Sequence, residues 1–151
     1  MNDKLTLIEN EKLSEEDFVS FINLVSNDFV PPLLSRIDVH KYFSKINTYG
    51  RCVQCRCEGQ LIGLIIFYSN NFDTDKAFVT FLAVLPEYRG MKISSILINK
   101  VCTIARDNNK IILAIETNNE HAKDCYLHLD FLIINKQELP NHTRYYMEKV
   151  L

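Results

Sequence analysis

The sequence predicts an α/β (α+β) domain: a mixed, mostly antiparallel sheet of about seven strands flanked by about four helices. Three observations carry that expectation. Two blocks of helical period lie before Gly50 and two more after Lys92. From Arg51 the period switches to that of strands. The run AFVTFLAVL (77–85) is apolar throughout, as a central strand is and an edge strand is not. A chain of 151 residues can bury one core, so residues 1–151 are read as a single domain.

The elements follow in order. Leu5 to Ile8 is a short first strand. Ser14 with Asp17 three residues on is a capping box, and Phe18, Phe21, Ile22, Val25 and Phe29 recur at helical spacing through about Asn27. Pro31-Pro32 breaks that helix. Asp38 caps a second, with Val39, Tyr42, Phe43 and Ile46 inward, and Gly50 stops it. RCVQCRC, a Glu58-Gly59 turn and QLIGLIIFYSN form a hairpin. The polar loop NNFDTDK leads into the central run. Beyond the Arg89-Gly90 turn, Ile93, Ile96, Leu97, Val101, Ile104 and Ala105 mark a helix ending near Asn108-Asn109. IILAIE is a strand, Ala122, Cys125, Tyr126 and Leu129 lie on a helix, and FLIIN and TRYYMEKVL close the chain as strands.

A formal net charge of −2 and a pI near 6.1 give no electrostatic footprint for nucleic acid. Charges interrupt every apolar run short of a membrane span, and the N-terminus lacks the apolar core of a signal peptide, so a soluble cytoplasmic protein is expected. Cys52, Cys55 and Cys57 resemble a metal cluster at first sight. On a strand, however, Cys55 and Cys57 share a face and Cys52 takes the other, and no second Cys or His pair follows at zinc spacing. No metal is expected.

Ala83 to Ile98 is the most informative stretch: a strand, a tight turn, then an amphipathic helix. That layout aims backbone N–H groups at one point before a helix N-terminus, which suits a phosphate. The turn, Arg89-Gly90-Met91-Lys92-Ile93-Ser94, resembles the acyl-CoA signature of the GNAT superfamily of N-acetyltransferases (Arg or Gln, two residues, Gly, one residue, Gly or Ala). Asn119 to Phe131 resembles that family's Asn-x-x-Ala-x-x-x-Tyr-x-x-x-Gly-Phe helix, and Tyr146-Met147-Glu148-Lys149 a common last strand. The element order matches over nearly the whole chain.

The resemblance implies a GNAT fold with central strands, 77–85 and 110–116, splayed apart. It implies acetyl-CoA as co-substrate, with the amides of Arg89, Gly90, Met91, Lys92, Ile93, Ser94 and Ser95 around the pyrophosphate. Leu82, Ala83 and Val84 would pair with the pantetheine arm like an added strand, with an N–H near Val84 polarising the thioester carbonyl. Tyr126 matches the tyrosine that protonates the departing thiolate, and Asn119 the asparagine that contacts the pantetheine or acyl region. Three positions depart from the pattern: Lys92 stands for a glycine, Ser94 for Gly or Ala, and Asp130 for the glycine before Phe131, where a left-handed conformation is expected.

An amine acceptor must lose a proton, and Glu116 at a strand end is the first candidate base. His40, His121, His128 and His142 read as surface residues. Cys125 shows no His or cationic partner in the sequence, which argues against a covalent cysteine route. Phe29, Arg36, Tyr42 and Tyr68 are placed at the acceptor, where Arg36 suits a phosphate or carboxylate. The predicted activity is acetyl transfer to a primary amine of a small metabolite, amino sugars first, by direct attack in a ternary complex. A peptide acceptor and a non-catalytic acyl-CoA-binding module are the alternatives. The last strand, TRYYMEKVL, would be a pairing edge between two subunits of a homodimer.

Overall fold

A computed structural model describes residues 5–9, 11–29, 31–69 and 73–151. The elements are β1 (Leu5–Ile8), α1 (Glu15–Val25), α2 (Val39–Tyr49), β2 (Arg51–Cys57), β3 (Gln60–Tyr68), β4 (Lys76–Val84), α3 (Ile93–Asp107), β5 (Ile112–Thr117), α4 (Glu120–His128), β6 (Leu132–Glu138) and β7 (Thr143–Val150). This is the predicted order. The loop read over 70–76 lies partly outside the described residues.

Local chemistry sets the boundaries. Ser14 Oγ accepts the Asp17 N–H at 3.1 Å, and Asp38 Oδ1 accepts those of His40 and Lys41 at 3.1 and 3.2 Å. The helical path ends at Val25; Ser26–Asp28 tightens to a 3₁₀ turn, and Phe29 is extended. Gly50 does stop α2, but with a φ of −98° rather than in the left-handed conformation. A Cβ there would come within 3.0 Å of the Ile46 carbonyl oxygen, so close approach is what requires glycine. Glu58 and Gly59, both at positive φ (52° and 86°), make the tight turn between β2 and β3.

The sheet has seven strands in the order β1-β2-β3-β4-β5-β7-β6. Among the described residues only β4 and β5 pair in parallel, over four rungs from Lys76↔Ile112 to Val79↔Ile115. The next residue explains why the rungs stop. Phe67 pairs with Val79 and Ile66 with Phe81, so Thr80 is an extra residue in β4. Such a β-bulge bends its strand and raises the local twist. β4 therefore turns away from β5 beyond Val79, opening a gap beside Thr80–Val84.

α1 and α2 cover one face of the sheet. Phe18, fully buried, meets Phe81 of β4 at 6.4 Å between ring centroids, and Tyr42 and Phe43 of α2 at 5.9 and 5.6 Å. α3 covers the other face, where a Cβ on Gly63 would lie 3.0 Å from Ile93 Cγ2 and 3.4 Å from Leu97 Cδ1. α4 shares the α3 face, since Lys149 of β7 donates to the Leu129 carbonyl at 2.8 Å. Opposite α4, Lys76 reaches across β5 to Glu148 at 2.5 Å, and Tyr146 donates to the same carboxylate at 2.6 Å. These bonds hold the Glu148 carboxyl below its ordinary range.

One expectation is overturned here. β7 is not an edge: it lies between β5 and β6, paired on both sides. The free edge beyond β7 is β6.

Candidate active site

The gap between β4 and β5 offers its backbone selectively. Leu85 donates to the Ile62 carbonyl at 2.8 Å. Antiparallel alternation then turns the N–H groups of Phe81 and Ala83 toward β3, and those of Leu82 and Val84 into the gap. Leu82 and Val84, but not Ala83, can therefore pair there with an added strand-like ligand.

At the end of the gap stands the α3 N-terminus. Gly90 (φ 85°) and Lys92 (φ 61°, at the N-cap) are both left-handed, and no side chain caps the helix. The N–H groups of Gly90 to Ser95 find no acceptor among the described residues. Consecutive unpartnered N–H groups in a left-handed turn form an anion nest. Lys92 adopts the conformation a glycine would take there, so its side chain does not collapse the turn.

The two faces of the gap carry different chemistry. On the α3 and α4 side, Tyr126 is 7% exposed and its ring packs on Phe131 at 5.8 Å. Its hydroxyl has no hydrogen-bond partner among the described residues, where Tyr68 Oη and His142 Nε2 are also buried without one. Burial pushes the Tyr126 pKa well above the ordinary phenol range. On the α1 and α2 side, Phe29 stacks on Phe81 at 5.5 Å and 22°, and the Tyr42 hydroxyl lies 3.4 Å from both Thr80 oxygens. Burial raises Tyr42 to about 12.

A profile of the acetyltransferase (GNAT) family matches residues 15–131. The chain belongs to the GNAT family. A search of curated proteins returns no sequence match. Among solved structures it is similar to a GNAT acetyltransferase from Streptococcus pneumoniae (TM-score 0.80, 17% identity, covering 97% of this chain and 99% of that one). It is similar too to an aminoglycoside 6'-N-acetyltransferase complexed with coenzyme A (0.77, 13%, 96% of each chain). A third is a GNAT acetyltransferase from Elizabethkingia anophelis with acetyl-CoA bound (0.69, 15%, 99% of each chain). At such identities the likeness is one of fold.

In this GNAT domain the predicted residues fall into groups. Leu82, Val84 and Gly90 to Ser95 line the gap and the nest, whereas the Arg89 N–H, expected among them, is taken by the Pro86 carbonyl at 3.3 Å as the turn closes. Asn119 is the α4 N-cap: its Oδ1 accepts the Ala122 N–H at 3.0 Å and its Nδ2 donates to the Asp28 carbonyl at 3.3 Å. Its carboxamide is thus engaged on both sides. Glu116 lies on the α1 and α2 face at the β5 end, 3.7 Å from Arg144 Nε and half exposed. Phe29 and Tyr42 meet at Thr80–Phe81, whereas Tyr68 pairs with Phe78 further down the ladder. Arg36 stays exposed on the rim, its Nε donating to the Pro31 carbonyl at 3.3 Å.

Three features escaped the sequence reading. Thr80, the bulge, carries no residue signature. Asp28 binds the Arg89 guanidinium, and Arg89 Nε donates to the Val84 carbonyl at 3.2 Å. Asp28 thus links β4, through Arg89, to the α4 cap, through Asn119. Cys125 does have a partner: His121 Nε2 lies 3.7 Å from its Sγ, one helical turn earlier. The i, i+4 spacing could have shown this.

Proposed function

We propose that this GNAT protein transfers an acetyl group from acetyl-CoA to the primary amine of a small metabolite, amino sugars being the first to try. One observation carries the reading: the β4–β5 gap, with its Leu82 and Val84 N–H groups, runs directly into the unpartnered nest of residues 90–95. A ligand joining a strand-like arm to a diphosphate suits that continuity. Acetyl-CoA supplies the activated acyl group. The chain supplies its placement: the Leu82 or Val84 N–H faces the developing oxyanion, and the amine approaches from the α1 and α2 side, where Glu116 or water takes its proton. The thiolate departs toward the α3 and α4 side, where the Tyr126 hydroxyl supplies a proton. A small acceptor is favoured over a peptide because Phe29 stacks on Phe81 and the Tyr42 hydroxyl meets Thr80, which narrows this side of the gap.

Calorimetric titration with acetyl-CoA and coenzyme A, followed by an amine screen, tests the reading. Micromolar binding of both with turnover of an amino sugar is expected. Failure to bind either at near-millimolar ligand would sink it.

Arg89 occupies the Val84 carbonyl that a pantetheine amide would need, and Asp28 holds it there. Removing the ion pair in Asp28→Asn should therefore tighten coenzyme binding by up to about fivefold, the worth of an exposed pair. Unchanged or weaker binding in the same titration would mean that Arg89 need not leave.

A further inference from the structure

β6 is one of the two edges of the sheet, β1 being the other, and every one of its seven residues is exposed. Edge strands usually refuse partners with charges or proline. Here Leu132, Ile133 and Ile134 are 63, 40 and 55% exposed, and Val150, diagonal to Leu132 on β7, is 78% exposed. Ile134 is the extra residue of a bulge against β7, between the pairs Ile133↔Met147 and Asn135↔Tyr146, and its side chain is largely exposed.

The strand is complementary to itself in one register. Laid antiparallel to a second copy with Ile133 on the two-fold axis, Leu132 faces Ile134 of the partner subunit, and Ile134 faces the partner's Leu132. Asp130 then lies beside the partner's Lys136, and Lys136 beside the partner's Asp130. The Asp130 and Lys136 side chains are 90% and 54% exposed; each meets an opposite charge in its own subunit, Lys149 at 3.8 Å and Glu138 at 3.4 Å, and can add the partner's charge to that pair. Centring the pairing on Asn135 instead would set Leu132 against a glutamate and Ile134 against a lysine, covering charges with apolar side chains. Apolar and opposite-charge cross-strand pairs are what stabilise an antiparallel ladder.

We propose that this chain forms a two-fold dimer by antiparallel pairing of β6 with β6 of a second copy, centred on Ile133, which joins the two sheets into one. The inference does not depend on the acetyl-transfer reading. Sedimentation velocity over a concentration series tests it, with circular dichroism reporting the fold. Wild type should dimerise, and Ile133→Lys, which sets two ammonium groups at the axis, should be monomeric. Lys136→Glu should weaken the dimer about tenfold or more through like-charge contact. Because its side chain is exposed, it also serves if Ile133→Lys misfolds. Adding Asp130→Asn, which tolerates the φ of 71° at that position, should restore part of the loss. A wild-type monomer at the highest soluble concentration overturns the proposal, as does a dimer unmoved by Ile133→Lys. A dimer indifferent to Lys136→Glu overturns its register.

Discussion

Tyr126→Phe is expected to lower kcat by about a hundredfold or more, the usual worth of a positioned proton donor, with acetyl-CoA affinity nearly unchanged. Two properties of the side chain set this apart from an ordinary core substitution. Its ring, packed on Phe131, is retained in phenylalanine, and its hydroxyl makes no hydrogen bond among the described residues, so the variant should melt close to wild type. Burial keeps the phenol protonated well beyond the usual range, so it remains a donor throughout any practical assay. An alkaline fall in the wild-type rate must then come from another group. Steady-state kinetics with thermal unfolding alongside reads both effects. Equal turnover in the variant would leave Tyr126 a core residue only, and would favour a binding module over an enzyme.

Gly63→Val should cost about 1–3 kcal/mol, the usual penalty for overfilling a packed interface. At about 2–4 °C per kcal/mol for a domain of this size, the melting temperature should fall by several degrees. The added Cβ alone comes within 3.0 Å of Ile93 Cγ2, and its branches reach further toward Leu97. Ile93 is the first residue of α3 and one of the nest's N–H donors. Coenzyme affinity should therefore fall with stability, although Gly63 itself touches no ligand. A melting curve and a coenzyme titration unchanged from wild type would show that α3 can shift without disturbing the nest.

Much of this architecture was legible because it is local. The caps at Ser14 and Asp38, the Glu58-Gly59 turn and the left-handed Asp130 all depend on a few neighbouring residues whose chemistry is explicit. The nest was legible for the same reason. What could not be read is contact at a distance. Asp28 and Arg89 are 61 positions apart, and nothing near either one signals the other. The burial of β7 between β5 and β6 is likewise a matter of spatial order, which succession along the chain does not fix. The bulge at Thr80 is subtler, because one extra backbone residue in an apolar run leaves the pattern of side-chain types intact. Asn119 shows how one residue can satisfy two descriptions, its motif position coinciding with a helix cap.

The extra residue at Thr80 also has a mechanical consequence. Strands β1 to β4 and strands β5, β7 and β6 are two slabs, joined through the sheet by only the four parallel rungs below the bulge. Beyond those rungs the span from Thr80 to Val84 has no strand partner on the side of the opposite slab among the described residues. Material caught between them meets the Leu82 and Val84 backbone along one side and lies clear of the four rungs. A fully paired ladder and an open cleft thus coexist in one continuous sheet, and a single inserted backbone unit separates them.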